Sequence, residues 1–383
     1  MPLSALHQEI ESLPALLSGL VDPLARAAAA ALPPARCWQA QQVYLTGCGD
    51  SHHAAVGAAL AFRQLAGLPC EPLTALSFSR YRAPYLVQGG AAALVIAISV
   101  SGSVTRTIEA LDLGRQAGAW GVAVTGGSHT PLAQVSDAVI ETSVPPLINS
   151  APGLVTPGMR SYAASQLALY LAAIQVGQER DYLSQRQATQ LRLELTALAA
   201  QAEQTVTASA PLARHCIQTW NNASHFVFAG SGPNYGAALF SAAKILEASG
   251  DPAVAQDLEE WAHLQYFSRE PDTPTILLTA AQADADRAQE VIAAALTIGR
   301  RVAVVAPTAP AFPIPAPAIH FPLPAPAREC FSPLLTTLPG ALLAACRADL
   351  LGEPYFRAFG GGRSRENGGG ISRIRTSRRR LSL

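Results

Sequence analysis

The sequence predicts an α/β protein built of two similar domains, each a parallel β-sheet flanked by helices in three layers. Three observations predict it. Short apolar strand runs alternate with longer helical stretches, the signature of βαβ units. That alternation is interrupted by two helical stretches with no strand between them, and then begins again. The two halves also form a weak internal repeat, residues 43–142 against 226–321, about 180 residues apart. Length agrees, since 383 residues at roughly 150 per domain suggest two domains.

The elements follow in order. Residues 1–35 are expected to form a helical arm, with Ile10, Leu13, Leu16, Leu17 and Leu20 at helical spacing. The first domain is placed at 36–180. Val43–Thr46 is a strand run closing on Gly47-Cys48-Gly49-Asp50-Ser51, with a helix over His52–Ala66. Leu94–Ile98 is a buried-strand run closing on Ser99-Val100-Ser101-Gly102-Ser103, with a helix over Val104–Ala117. Trp120–Thr125 and Ala138–Thr142 add two strands. Arg160–Gly177 and Tyr182–Ser209 are the long helical stretches, and residues 181–225 connect the domains.

The second domain is placed at 226–350. Phe226–Ala229 is a strand closing on Gly230-Ser231-Gly232-Pro233, followed by a helix over Asn234–Ser249. Thr275–Thr279 and Arg301–Val305 are strands flanking the helix Asp284–Ile298. Pro307–Pro326 holds eight prolines in 20 residues, a density no helix tolerates. It reads as an extended crossover around a strand at His320–Phe321; a ligand for proline-binding modules is the alternative. Leu334–Leu351 is a helix, and 351–383 is a Gly/Arg-rich tail.

Composition narrows the function. Hydrophobic residues make up 49% and charged residues only 14%, which excludes a disordered or fibrous chain. Aromatics at 6% argue against a base-stacking nucleic-acid platform. The longest unbroken apolar run, Ala91–Ile98, falls far short of the ~18–20 residues of a membrane span. Met1–Glu9 carries no basic cluster ahead of an apolar stretch, so no secretory signal is expected. Cys37, Cys48, Cys70, Cys216, Cys330 and Cys346 form no CxxC pair, and free thiols in a cytoplasmic protein are the simplest expectation. Net charge is zero, yet the segment from Tyr355 onward carries eight arginines against one acid, Glu366. Of 27 basic residues, the only lysine is Lys244.

In a parallel sheet, ligands sit beyond the carboxyl ends of the strands, where loops feed helix N-termini. Both serine-bearing turns of the first domain occupy such places. Backbone N–H groups at a helix start, together with hydroxyls, suit a phosphate monoester without a metal. Ser51 is one candidate donor; Ser99, Ser101, Ser103 and Thr105 are the others, with Gly49 opening the turn. Helix capping alone explains one such turn, but two adjacent strand ends with five hydroxyls favour phosphate. A dinucleotide site competes: Gly47-x-Gly49 follows a strand, and Glu71 lies about where a ribose-binding acid sits. His52 occupies its third glycine position, however, and no Walker A sequence occurs, so no cofactor is expected.

At these turns the sequence resembles the sugar isomerase (SIS) domain family of phosphosugar-binding proteins. The stretches that carry the resemblance are GCGDSHHA (47–54), AISVSGSVTRTIEAL (97–111), GSGPNYGAALFSAAKILEA (230–248) and EEWAHLQYF (259–267). The resemblance covers about residues 40–350 and is similar to two tandem SIS domains. Such tandems form the isomerase half of glutamine–fructose-6-phosphate amidotransferases and the fructosamine-6-phosphate deglycases. It implies that Ser51, Ser99 and Ser101, with Ser103 and Thr105, bind a sugar phosphate. It puts the proton-shuttling glutamate on Glu247, the ring-opening histidine on His263 and a lysine of the same helix on Lys244. It further implies a homodimer with the site completed at the subunit interface, no metal, and no glutaminase half to generate ammonia.

The residues suit those roles. Lys244 and Glu247 are i and i+3 on one helix face. A glutamate between C1 and C2 of a sugar moves a proton between them by general acid–base catalysis. An imidazole with an unperturbed pKa near ~6.5 suits ring opening at neutral pH. The bland alternatives are a solvent-exposed helix pair and an ordinary surface histidine. A chain that uses arginine everywhere else yet keeps one lysine argues against the first.

Three departures from the family pattern bear on the reaction. The family's KHGP is Ala262-His263-Leu264-Gln265 here, and a common glutamine of the serine loop is Val100. The family's Schiff-base lysine near the C-terminus has no counterpart in Asn367–Ser377, which offers Ser372, Arg373 and Arg375. A guanidinium is never deprotonated and forms no imine, so transamidation is disfavoured. Arg373 and Arg375 are expected to act as a substrate lid, and no function is expected of the last few residues. The resulting expectation is a cytoplasmic isomerase or deglycase/deaminase of (amino)sugar phosphates, binding neither nucleic acid nor membrane. The rival is a noncatalytic sugar-phosphate sensor.

Overall fold

The computed structural model describes residues 4–86, 90–147, 155–324, 328–359 and 377–382. Arg375, with Ser372 and Arg373, lies outside them. The chain forms two compact units, one of residues 15–145, 160–197 and 359–383, the other of 1–14, 146–159 and 198–358.

The N-terminal helices are α1 (Ala5–Glu11), α2 (Leu13–Ala31) and α3 (Pro34–Gln39). Ile10, Leu13, Leu16 and Leu17 are buried, as their helical spacing predicts. The first sheet then alternates strictly with helices: β1 (Gln42–Gly47), α4 (Asp50–Leu65), β2 (Cys70–Thr74), the single turn α5 (Ala75–Ser77), β3 (Ala93–Ser99), α6 (Thr105–Gln116), β4 (Trp120–Thr125), α7 (Pro131–Gln134) and β5 (Ala138–Glu141). All pairs are parallel, in the order β2-β1-β3-β4-β5. Each residue of β3 is buried, as a strand covered on both faces requires. On one face Tyr44, Val95, Ala97 and Ala123 pack with Phe78, Ile108, Leu111 and Leu113. On the other, α4 packs against α8 (Arg160–Glu179).

The long helix α9 (Gln185–Thr219) runs through Pro211 and leads into the second sheet. There β6 (Phe226–Gly230), α10 (Pro233–Ala248), β7 (Ala253–Gln256), α11 (Leu258–His263), β8 (Pro274–Leu278), α12 (Ala285–Thr297), β9 (Arg301–Pro307) and β10 (Ile319–Leu323) repeat the scheme. The order is β10-β9-β8-β6-β7, again wholly parallel, so both sheets have the 2-1-3-4-5 arrangement of a doubly wound fold. The last helix, α13 (Pro333–Leu351), packs on α10. The proline-rich stretch takes in the last residue of β9 and the strand β10, and Pro322 is tolerated because β10 lies at the sheet edge.

Two described helices, α2 and α13, have the length and mean hydropathy of a membrane span, which the unbroken-run criterion passed over. For α13 the apolar window is that of a core helix, 78% buried. The same window of α2 is 33% buried.

Candidate functional site

The reversal of strand order falls between β1 and β3, and both serine turns start at their carboxyl ends. This is where open α/β sheets form their binding crevice. Gly49 has φ +56° and ψ −130° at the N-cap of α4, and Gly232 repeats it at the N-cap of α10 with +54° and −127°. Only glycine takes that conformation without strain, so the two turns share one backbone design.

Ser51 is half-buried in the first turn of α4. Ser99 is buried at the end of β3, and its carbonyl accepts the Gly102 N–H at 3.0 Å. Gly102 has φ +59°, and a Cβ there would lie 2.2 Å from Thr130, so the loop cannot carry a side chain at that point. Ser101 and Ser103, on either side of it, lie at the surface. The Ser103 hydroxyl donates to Ser101 Oγ at 3.0 Å, and both are exposed. Thr105 opens α6. The first-domain candidates therefore collect around the ends of two adjacent strands.

The sequence reading overlooked several neighbours. Thr107, buried in the first turn of α6, has its hydroxyl 3.8 Å from Cys48 Sγ, which ties one serine turn to the other. His52 follows Ser51; burial, aided by His53, pushes its imidazole down to about 4, so it is neutral at pH 7. Asp50 lies 3.5 Å from His53 Nδ1. Glu109 is fully buried, paired with Arg106 at 2.6 Å and Arg80 at 2.9 Å. All but Arg80 lie within the two motif stretches, but alternation and spacing do not reveal which side chains turn inward.

In the second unit, Lys244 is 0% exposed on α10 and bonds the Glu247 carboxylate. The ammonium also lies 4.7 Å above the centre of the Phe240 ring. A fully buried lysine is not the solvent-exposed pair of the bland reading. Its charge must be matched inside the protein, and Glu247 supplies the match while its own side chain stays 27% exposed. His263 ends α11 with a side chain 67% exposed, bonded through Nε2 to Glu259 at 3.0 Å. That bond, with help from Arg287, holds the Glu259 carboxyl below its ordinary value. Among the described residues, no group of three His, Cys, Asp or Glu side chains is arranged to hold a metal.

The architecture is that of tandem SIS domains. The sequence model of the SIS domain family matches residues 37–175. The glutamine–fructose-6-phosphate aminotransferase of Clostridium acetobutylicum is 24% identical over 208 residues, 54% of this chain and 32% of its own length. That of Acinetobacter baylyi is 28% identical over 241 residues, 63% of this chain and 38% of its own. This chain thus spans about a third of the length of these relatives. Among solved structures, the C-terminal domain of glucosamine-fructose-6-phosphate aminotransferase from Francisella tularensis superposes with a TM-score of 0.76 at 20% identity, over 90% of this chain and 95% of that one. Tagatose-6-phosphate ketose/aldose isomerase from Escherichia coli gives 0.67 at 16%, over 93% and 96%. At such identities the likeness is one of fold.

Proposed function

We propose that the protein is a phosphosugar isomerase or deaminase-type enzyme that moves a proton between C1 and C2 of a ketose or aldose (amino)sugar phosphate. The observation that carries this reading is the pair of serine turns at the strand-order reversal of an SIS domain. In it, the phosphate is held by Ser51, Ser99, Ser101, Ser103 and Thr105 with the backbone of Gly49. Lys244 holds the Glu247 carboxylate in place, and Glu247 carries the proton. His263 opens the sugar ring from the end of α11, and its exposure fits a site completed by a second copy in a homodimer. The chemistry asks for no metal or cofactor, since the enediol proton transfer is general acid–base work. A cytoplasmic location accords with a phosphorylated substrate.

A sensor is the second reading, and the bond between His263 and Glu259 favours it, because it occupies the ring nitrogen. A thermal-shift panel of hexose, pentose and N-acetylhexosamine phosphates and fructosyl-amine phosphates, with their unphosphorylated parents, is the first test. A ligand at 100 times its Kd adds ~2.7 kcal/mol of stability. Stabilisation by one phosphorylated sugar alone supports the site; no response from any of them overturns it. Deuterium incorporation at C2 then separates enzyme from sensor.

A further inference from the structure

The last described residues of the chain are not an idle end. Arg106, in the first turn of α6, donates through Nη2 to the carbonyl of Arg378. The Arg380 N–H donates to Glu109 Oε2 at 2.5 Å, and Gln116 Nε2 donates to the Leu381 carbonyl at 3.0 Å. The C-terminal segment is thus laid along α6 and bonded near its start and at its end. Its central anchor is Glu109, a carboxylate with no exposure that also holds Arg106 and, from the π-helical turn Phe78–Arg82, Arg80. Each partner lost leaves that buried charge less well matched.

The same turn of α6 faces the serine turns. Thr105 opens it, Thr107 contacts Cys48 of the other turn, and Arg106 is held by Glu109 and the C-terminal backbone. In that turn Thr107 contacts a serine turn and Arg106 bonds the C-terminal anchor, while Thr105 is itself one of the candidate phosphate donors. We propose that Glu109 is a positioning residue and that residues 377–382 are its counterpart. Together they fix the first turn of α6, and through Thr105 and Thr107 the geometry of both serine turns. This rests on the reading of those turns as a phosphate site, and it makes the far end of the chain a determinant of affinity for the phosphate group.

Two variants test it, deletion of Ser377–Leu383 and Glu109→Gln. The first readout is amide hydrogen exchange on the full-length dimer or monomer as purified, which needs no ligand. Faster exchange confined to residues 48–52 and 105–109, by about tenfold or more, is expected in both variants. Unchanged exchange there, or an equal rise across both sheets, overturns the proposal. The second readout is the Kd of fructose 6-phosphate against fructose. The deletion is expected to weaken the phosphate ester about tenfold and leave the parent sugar unaffected; equal Kd values in the deletion and the intact chain overturn it. If the intact chain ignores fructose 6-phosphate altogether, the phosphate reading is what fails for that sugar, and hydrogen exchange still decides the positioning role. If Glu109→Gln does not fold, the deletion carries both readouts.

Discussion

The turn after β1 and the turn after β6 have the same backbone and different chemistry. Both follow the strand beside the order reversal, both carry a glycine at the same φ and ψ, and both feed a 16-residue helix. Around the first lie hydroxyls, a neutral imidazole and the Asp50 carboxylate, which faces His53 Nδ1 at 3.5 Å. Around the second, Ser231 donates to Asp257 at 2.8 Å, and Thr279, after β8, donates to buried Asp284 at 2.5 Å. Burial raises the Asp284 carboxyl to about 6, and Glu329 and Asp257 add to the rise. A phosphate charge about 5 Å from one such carboxylate costs roughly 3 kcal/mol at an effective dielectric of 20. The fold thus repeats while the charge differs: the proposed phosphate turns set their hydroxyls beside one carboxylate, Asp50, and the second reversal holds two, Asp257 and Asp284.

The largest effect is expected away from both turns, on α10. Glu247→Gln keeps size and a bond to Lys244 but removes the base. Turnover is expected to fall by ~100-fold or more, with phosphate-dependent binding retained. Full activity in that variant, or deuterium entering C2 at the parent rate, rules out Glu247 as the proton carrier.

The two turns themselves come next. If the serine turns hold the phosphate as proposed, Ser51→Ala and Ser101→Ala each remove a hydrogen bond to a charged group, ~1.5–3 kcal/mol, and are expected to weaken a sugar phosphate by at least tenfold. Ser231→Ala removes a hydroxyl already given to Asp257 and is expected to leave that Kd within about twofold. Equal losses at Ser101 and Ser231, read by calorimetry, break the division between the turns.

The repeat was legible in the sequence because it rests on buried strands. Val43–Thr46, Leu94–Ile98 and Phe226–Ala229 are apolar runs, and in the structure each lies within a longer strand. The strands that escaped, β2 and β7, occupy the same edge in the two sheets. Cys70–Thr74 contains a proline, and Ala253–Gln256 is only four residues long and nowhere fully buried. An edge strand gains half the burial of a central one, so neither a long apolar run nor freedom from proline is demanded of it. The same limit governs the site. Ser51, Ser99 and Ser101 were visible because helix starts after buried strands have a periodic signature. Glu109 was not, because its burial depends on Arg80 and the Arg380 backbone, both remote in sequence.

The smallest effects, on stability, sharpen the comparison because the two turns titrate with opposite sign. Asp284 has a folded-state pKa of about 6 against 3.8 for the free side chain, so its burial is harmless when protonated. Stability from this group is full below pH 3.8 and is lost as pH rises through 6. His52 is the reverse: its folded pKa of about 4 lies below the free 6.5, so the unfolded chain takes up the proton first. Its contribution is lost as pH falls from 6.5 towards 4. Asp284→Asn, which keeps an acceptor for Thr279, is expected to gain about 1–2 kcal/mol at pH 8 and nothing at pH 3.5. His52→Gln is expected to flatten the acid limb by about 1 kcal/mol and leave pH 8 untouched by titration. Denaturation midpoints across pH 3.5–8 measure both. A gain from Asp284→Asn that is equal at both ends of that range traces to packing, and the electrostatic contrast between the two turns then loses its second half.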